Sequence, residues 1–263
     1  AIKSLFAQPN NLSFHSRVEE KYFGLLENDS LNVLGLLFSS DTEVNESGVE
    51  QFTQSIKEIV AELKKKKKQY GHEYHFLNFM FFKIHRKYLK QYEKGSTLHD
   101  VMETGKYDCV SASALFSLLL EGLNFDFKIK ELENHIYLAV FPSTIDYNYS
   151  HKIIFETTDP RNGYLAKEEE VKKMEMKYLK DYQENSFGQL KKGEKVFDYN
   201  FEIHNTINLV ELAGLSYFNQ ATQAYNNYNF GSATQNLEKG LFLYPSKRMK
   251  VMMNLLERSA QIN

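Results

Sequence analysis

The segment CVSASALFSLLL, residues 109–120, constrains the fold more than any other stretch of this chain. Apolar side chains would cover nearly every side of a helix with this sequence, and such a helix is stable only where protein surrounds it. The polar cluster GKYD precedes it, with Asp108 suited to the N-cap, and Gly122 follows in a C-cap position. We therefore predict a buried central helix that begins at Cys109.

Cys109 is the only cysteine in the 263 residues, so the chain has no internal disulfide and no multi-cysteine zinc site. In the first turn of a helix, free backbone N–H groups and the helix dipole favour a thiolate and are expected to lower the pKa of the thiol. Cys109 is then an activated nucleophile. Alternatively, it is a small apolar residue at the start of a core helix.

The periodicity of the chain changes between residues 124 and 159. The segment NFDFKIKELEN alternates apolar and polar residues, which is typical of a half-buried strand. HIYLAVF and KIIFETT are rich in β-branched and aromatic residues and predict two more strands, joined by a polar loop with a proline. We expect these two strands to form an antiparallel hairpin.

A symmetric register for this hairpin places His135 opposite Asp159 and Tyr137 opposite Thr157, with Glu156 on the other face. Facing residues have Cβ atoms about 4.5–5.5 Å apart. A slip of one or two residues stays open. The thiol of Cys109, the imidazole of His135 and the carboxylate of Asp159 are the groups that acyl transfer requires. The imidazole would act as base, the carboxylate would hold its tautomer, and N–H groups at the helix start would bind the oxyanion.

The segments around these three residues, GKYDCVSASALF, NHIYLAVF and FETTDPRNGYL, resemble the transglutaminase-like cysteine peptidase superfamily, which is papain-related in layout. The resemblance covers about residues 95–165. It implies an α+β fold, with helices packed on an antiparallel sheet and the nucleophile at the N-terminus of the buried central helix. It also implies Cys109, His135 and Asp159 as the catalytic residues, with no metal and no cofactor.

Two features depart from that family. Many members carry tryptophan after the histidine segment and at the aspartate strand, whereas this chain has none; Tyr137 and Phe155 stand in those places. The residue that completes the oxyanion hole is also not evident, and Tyr107 and His99 are the candidates.

The C-terminal part of the chain has a different pattern. Residues 216–245 fit one copy of the 34-residue tetratricopeptide pattern. The matching positions are Tyr217, Ala221, Phe230, Ala233, Leu237 and Pro245. A single repeat is rarely stable alone, so we expect this helical hairpin to dock on the rest of the protein. It is either a surface for a peptide or protein partner or a packed appendage.

The sequence thus predicts a transglutaminase-like domain over residues 1–200, including a Lys/Glu-rich helix over 167–183 and a looser stretch with Gly188 and Gly193. A tetratricopeptide-like region follows over residues 205–263. The expected function is cysteine-dependent acyl transfer on peptide or protein amides. The alternative is a catalytically idle scaffold that binds a protein or peptide partner through its C-terminal repeat.

Charge and hydropathy exclude other classes of function. The net charge of −2 gives no electrostatic reason to expect binding to nucleic acid or to an anionic membrane. No apolar run reaches the ~20 residues of a membrane span. His72 and His75 are three apart but lack a third ligand at recognisable spacing, so no metal is expected. The chain begins at Ala1, and we expect an exported or periplasmic location over a cytoplasmic one.

Overall fold

The computed structural model describes residues 12–26, 33–186 and 205–260, and within them the protein has an α+β fold. The helices in these ranges are α1 (Arg17–Leu25), α2 (Val33–Ser39), α3 (Glu46–Lys67), α4 (Glu73–Tyr88), α5 (Leu98–Glu103), α6 (Cys109–Gly122), α7 (Glu168–Ser186), α8 (Leu209–Asn226), α9 (Phe230–Leu243) and α10 (Lys247–Ala260). The strands are β1 (Gln91–Tyr92), β2 (Lys106–Tyr107), β3 (Asp126–Glu131), β4 (Ile136–Phe141), β5 (Ile153–Phe155), β6 (Tyr164–Leu165) and β7 (Asn205–Ile207).

Five strands form one antiparallel sheet in the order β6-β5-β4-β3-β7. The predicted α+β class and antiparallel sheet are therefore confirmed. The region from residue 205 onward, predicted to be tetratricopeptide-like and hence helical, begins instead with strand β7 (Asn205–Ile207), because the edge of β3 offers hydrogen-bond partners to that segment. A separate pair, β1 and β2, runs parallel and sets Tyr92 beside Tyr107.

Helix α6 lies at the centre of the core, as its composition predicts. Residues 110–120 are all buried, and the helix packs against α3, α5, α8, β3 and β4. Asp108 is the N-cap, and it forms a capping box with Ser111 that satisfies free N–H groups of the first turn. Gly122 is the last helical residue, and Asn124 takes the left-handed conformation (φ 57°) that turns the chain into β3.

The two faces of the sheet bury different sets of residues. The face toward α6 carries Leu138 and Phe155 in the main core. The opposite face carries Tyr137 and Ile154, which form a second apolar cluster with Val171 and Tyr178 of α7. Because side chains alternate along a strand, the residue two before Tyr137, His135, is expected on the α7 side.

The hairpin of β4 and β5 differs from the predicted register by one residue. Leu138 faces Phe155, whereas the prediction places Leu138 opposite Glu156. Both faces of β5 are fully buried, so the apolar pattern of this strand does not distinguish one register from the next. Packing of the Phe155 ring against Phe81 and Phe116, at centroid distances of 5.1 and 5.4 Å, fixes which face meets α6.

The C-terminal helices pack on the rest of the protein. α8 contacts α2 and α6, α9 packs along α8, and α10 packs on α9. The repeat positions Tyr217, Ala221, Ala233 and Leu237 are all buried. The predicted boundary near residue 200, with Gly188 and Gly193, lies outside the described residues, so the division into two domains stays a prediction. Across the described ranges, no helix combines the length and apolar character needed to cross a membrane.

Candidate active site

The Cys109 thiol lies where α6 meets the first residue of β4. Cys109 is the first residue of α6, it is a free cysteine, and it is partly exposed. The backbone N–H of Ile136 donates a hydrogen bond to its sulfur. Since His135 is the residue before Ile136, this bond brings the thiol close to the backbone at the start of β4. The His135 ring lies against Glu156 and Tyr178.

His135 pairs with a carboxylate, and that carboxylate is Glu156. The His135 Nε2 and Glu156 Oε2 atoms are 2.7 Å apart. Extending the register of β4 and β5 by one residue sets Tyr137 opposite Glu156, so His135, on the same face as Tyr137, is the diagonal neighbour of Glu156. The one-residue slip from the predicted register is what moves Glu156 onto this face.

The expectation that Asp159 faces His135 does not hold in this structure. Asp159 Oδ1 accepts hydrogen bonds from the backbone N–H groups of Arg161 and Asn162, at 3.0 and 2.9 Å. Its carbonyl also accepts from the N–H of Gly163 at 3.0 Å. Asp159 therefore holds the turn that joins β5 to β6, and an aspartate before a Pro-Arg-Asn-Gly segment is well suited to that task.

The Glu156 carboxylate is buried and well supplied with donors. Burial acts to raise its pKa, but the hydrogen bond and charge of His135 and the hydroxyls of Tyr178 and Thr158 outweigh this and hold the pKa below its ordinary value. Glu156 is thus ionised at neutral pH. An ionised carboxylate only accepts, so His135 Nε2 carries the proton and Nδ1 is left as the basic nitrogen.

Tyr178 of α7 supports this pair from the far side of the sheet. Its hydroxyl donates to Glu156, its ring stacks on Tyr137 at 5.0 Å, and its ring centroid is 5.9 Å from that of His135. The sequence analysis missed both Glu156 and Tyr178. Once the register is known, the alternation of side chains along KIIFETT places Glu156 on the same face as Tyr137. The Lys/Glu-rich pattern of α7 does not indicate that Tyr178 contacts this site.

The thiol itself is not activated by the helix dipole as expected. Burial first, and then the negative charge of Asp108, raise the pKa of Cys109 to about 12, and the Ile136 N–H opposes them only in part. The predicted lowering of the thiol pKa is therefore wrong for this structure. The first physical reason is the burial of the thiol, and the second is that the N-cap directly before the cysteine is a carboxylate. At neutral pH the thiol is protonated and needs a base.

The two predicted oxyanion residues lie in different surroundings. Tyr107 is buried, with its ring near Tyr92 and His85 at centroid distances of 5.8 and 6.2 Å. His99 Nδ1 lies 3.0 Å from Asp41 Oδ2, in the loop between α2 and α3. These contacts tie Tyr107 and His99 to other side chains, and they favour neither as the oxyanion donor.

Tyr92 is a residue that the sequence analysis did not single out. It is half-exposed, and burial followed by the charges of Cys109 and Asp108 raises its pKa to about 12. Its hydroxyl is therefore protonated at neutral pH and can donate a hydrogen bond, and its ring packs edge-on against Tyr107 at a centroid distance of 5.8 Å. Since β1 is only two residues long, no pattern in the sequence indicates that Tyr92 comes to this place.

Comparisons with known proteins do not identify the chain. No family model matches it, and no curated protein or solved structure matches it either. In the part of the chain that the structure describes, no group of three or more His, Cys, Asp or Glu side chains could hold a metal ion. The case for a function therefore rests on the geometry of Cys109, His135 and Glu156 and on the resemblance of the short motifs around them.

Proposed function

We propose that this chain is a cysteine-dependent acyl-transfer enzyme, a transglutaminase-like peptidase or amidase that acts on peptide or protein amides. One observation carries the proposal. His135 is bonded to the buried carboxylate of Glu156, and the residue after His135 donates its N–H to the Cys109 thiol. In this proposal the nucleophile stands at the N-terminus of the buried central helix α6.

Each group has a role that its surroundings support. As Cys109 Sγ attacks the amide carbon, His135 Nδ1 takes the thiol proton, and Glu156 stabilises the imidazolium that results. The backbone N–H of Cys109 and the Tyr92 hydroxyl donate to the oxyanion, since the next N–H groups of α6 already bond Asp108. The imidazolium then gives its proton to the leaving amine as the C–N bond breaks, leaving a thioester. Water or a second amine attacks the thioester, and the thiol is restored.

The test compares two carboxylates that lie three residues apart. With Glu156→Gln the imidazole loses its ionic partner, so we expect acylation of Cys109 by a peptide-library substrate or a peptide-like electrophile to slow by about 100-fold or more. Asp159→Asn is the matched control, because its amide oxygen can still accept from the turn N–H groups. We expect it to react at nearly the wild-type rate. Cys109→Ala abolishes labelling altogether.

The reverse order, with Asp159→Asn inactive and Glu156→Gln active, would restore the sequence-based assignment and remove Glu156 from the mechanism. Equal and slow labelling of the wild type and both variants would remove the enzyme from consideration. In that case the second candidate stands, an idle scaffold that binds a protein or peptide partner through its C-terminal helices. The observation that favours this candidate is the raised pKa of the Cys109 thiol.

A further inference from the structure

Helix α8 contacts the loop and cap on which Cys109 depends. Asn219 Nδ2 donates to Asp108 Oδ2 at 2.9 Å, and the same oxygen accepts from the N–H of Gly95 at 3.0 Å. Gln220 of α8 also donates to the carbonyl of Gly95 at 2.9 Å. Asp108 is 2% exposed, so these donors, with the Ser111 N–H at 2.8 Å, replace water around a buried carboxylate.

Helix α10 contacts the turn from which His135 emerges. The turn from Leu132 to His135 is closed by the Leu132 N–H donating to the His135 carbonyl at 2.8 Å. Arg248 donates to the carbonyl oxygens of Leu132 and Glu133, at 3.3 and 2.9 Å, and forms an ion pair with Glu131. The guanidinium of Arg248 thus donates hydrogen bonds to three acceptors around the turn.

Glu131 is itself fully buried, and the C-terminal region supplies its partners. The Tyr244 hydroxyl donates to Glu131 Oε2 at 2.5 Å, and Asn205 Nδ2 donates to the same oxygen at 3.1 Å. The side chain of Glu131 therefore has Arg248, Tyr244 and Asn205 as donors, all from beyond residue 204. Within the described ranges, the C-terminal region thus supplies the side-chain partners of the last strand residue before the His135 turn, while its backbone pairs with Ile136 and Asn205.

We infer that the C-terminal helices position the two halves of the candidate site. Asn219 orients the Asp108 cap from which Cys109 begins α6, and Arg248 fixes the turn that aims His135 at Glu156. The catalytic meaning of this inference rests on the proposed function. The two contacts lie on different helices, α8 and α10, and reach different sides of the site. The tetratricopeptide-like region therefore helps to shape the site. Asn219 and Arg248 are positioning residues: Asn219 acts through Asp108, and Arg248 acts through the turn before His135.

The first test measures the thiol in Asn219→Ala. Without the amide donor the Asp108 charge acts more strongly on Cys109, so the thiol pKa rises. We expect the alkylation rate by iodoacetamide between pH 8 and 9 to fall by about threefold to tenfold, since each unit of pKa is tenfold in thiolate. Asn226→Ala, an exposed site on the same helix, is the control and keeps the wild-type rate. A wild-type rate in Asn219→Ala overturns its role.

The second test measures the imidazole in Arg248→Lys. Lysine keeps the charge beside Glu131 but cannot bridge three acceptors, so the turn relaxes. We expect nitrogen-15 spectra to show a mixture of His135 tautomers, where the wild type has Nε2–H alone. Arg258→Lys, exposed on the same helix, is the control. Tyr244→Phe, which keeps the guanidinium and removes one donor to Glu131, should give the same change if Arg248→Lys does not fold.

A single Nε2–H tautomer in both variants overturns the role of Arg248. Neither readout requires turnover, so the inference and the proposed function fail separately. A protein that shows both shifts and transfers no acyl group would overturn the proposed function and keep the positioning role. An active enzyme in which neither the alkylation rate nor the His135 tautomer changes would keep the proposed function and overturn the positioning role.

Discussion

His85 is a buried histidine beneath the candidate site. It is 2% exposed, its ring packs on Phe81 at 4.6 Å, and neither ring nitrogen has a hydrogen-bond partner among the residues that the structure describes. Burial lowers the pKa of His85 to about 4, although the charges of Asp159 and Glu156 act in the opposite direction. The imidazole is therefore neutral in the folded protein at any pH above this value.

This pKa predicts a loss of stability in mild acid. In the unfolded chain His85 titrates near 6.5, so as the pH falls from about 6.5 to about 4 the unfolded state binds a proton that the folded state does not. The contribution lost over this range is on the order of 3 kcal/mol. Urea unfolding of wild type and His85→Leu at pH 7.5 and pH 5 should show a smaller fall for the variant.

His75→Gln is the matched control, because His75 is exposed on the same helix α4 and should keep the wild-type pH dependence. If His85→Leu loses as much stability as the wild type between the two pH values, His85 does not titrate in the unfolding reaction as its burial requires.

Single residues of the site differed in how well the sequence revealed them. Cys109 and His135 were predictable because each stands at an element boundary that local chemistry marks, an N-cap before an apolar helix and the start of a β-branched run. Glu156 was not, because its place depends on register between two strands. Tyr92 and Tyr178 belong to segments that are distant in sequence, and only tertiary packing places them near the candidate site.

The connection between β5 and β6 is the element that holds Glu156 in place. The N–H of Glu156 donates to the carbonyl of Gly163 at 2.8 Å, and the turn between them is closed by Asp159. A Cβ atom at Gly163 would lie 2.3 Å from the Glu156 carbonyl oxygen and 2.4 Å from that of Asp159. Both are backbone atoms, so the turn itself would have to open.

We therefore expect Gly163→Ala to lower the free energy of unfolding by about 1–3 kcal/mol, the usual range for overpacking at a site that cannot yield. Acylation of Cys109 should slow as well, because Glu156 moves with the turn. Gly24→Ala is the control: nothing lies within 4 Å of a Cβ there, and alanine favours its helix. If chemical denaturation gives Gly163→Ala the same free energy of unfolding as Gly24→Ala, the turn adapts to the added methyl group without strain.

At the scale of elements, the helices were easier to predict than the strand pairing. The all-round apolar surface of α6 and the Lys/Glu-rich pattern of α7 are local properties, and both helices form close to their expected bounds. The segment KIIFETT has apolar residues on both faces, so it permits more than one register. Strand β7 depends on a free edge of β3 that only the assembled sheet provides.

At the scale of the whole molecule, a buried ion pair links the first helix, α1, to α9 in the C-terminal region. Lys239 of α9 and Glu19 of α1 are both fully buried, and Lys239 Nζ lies 2.9 Å from Glu19 Oε1. The same ammonium is 2.7 Å from His15 Nε2 and 5.4 Å from the centre of the Tyr217 ring. The C-terminal helices are thus joined to the N-terminal part of the chain through charges that have no contact with water.

This arrangement predicts an asymmetry between single and double substitutions. Lys239→Met leaves the Glu19 charge buried without its cation, so it should lower the free energy of unfolding by about 3–5 kcal/mol. The double variant Glu19→Gln with Lys239→Met leaves neither charge in the core and should recover most of that loss, because the pair offsets its own desolvation only in part. Urea unfolding of the three proteins measures both steps. Lys21→Met, which breaks the exposed pair between Lys21 of α1 and Glu46 of α3, is the control and should change little. A double variant as unstable as Lys239→Met would mean that the packing of the lysine stem, rather than the unpaired charge, holds α9 against α1.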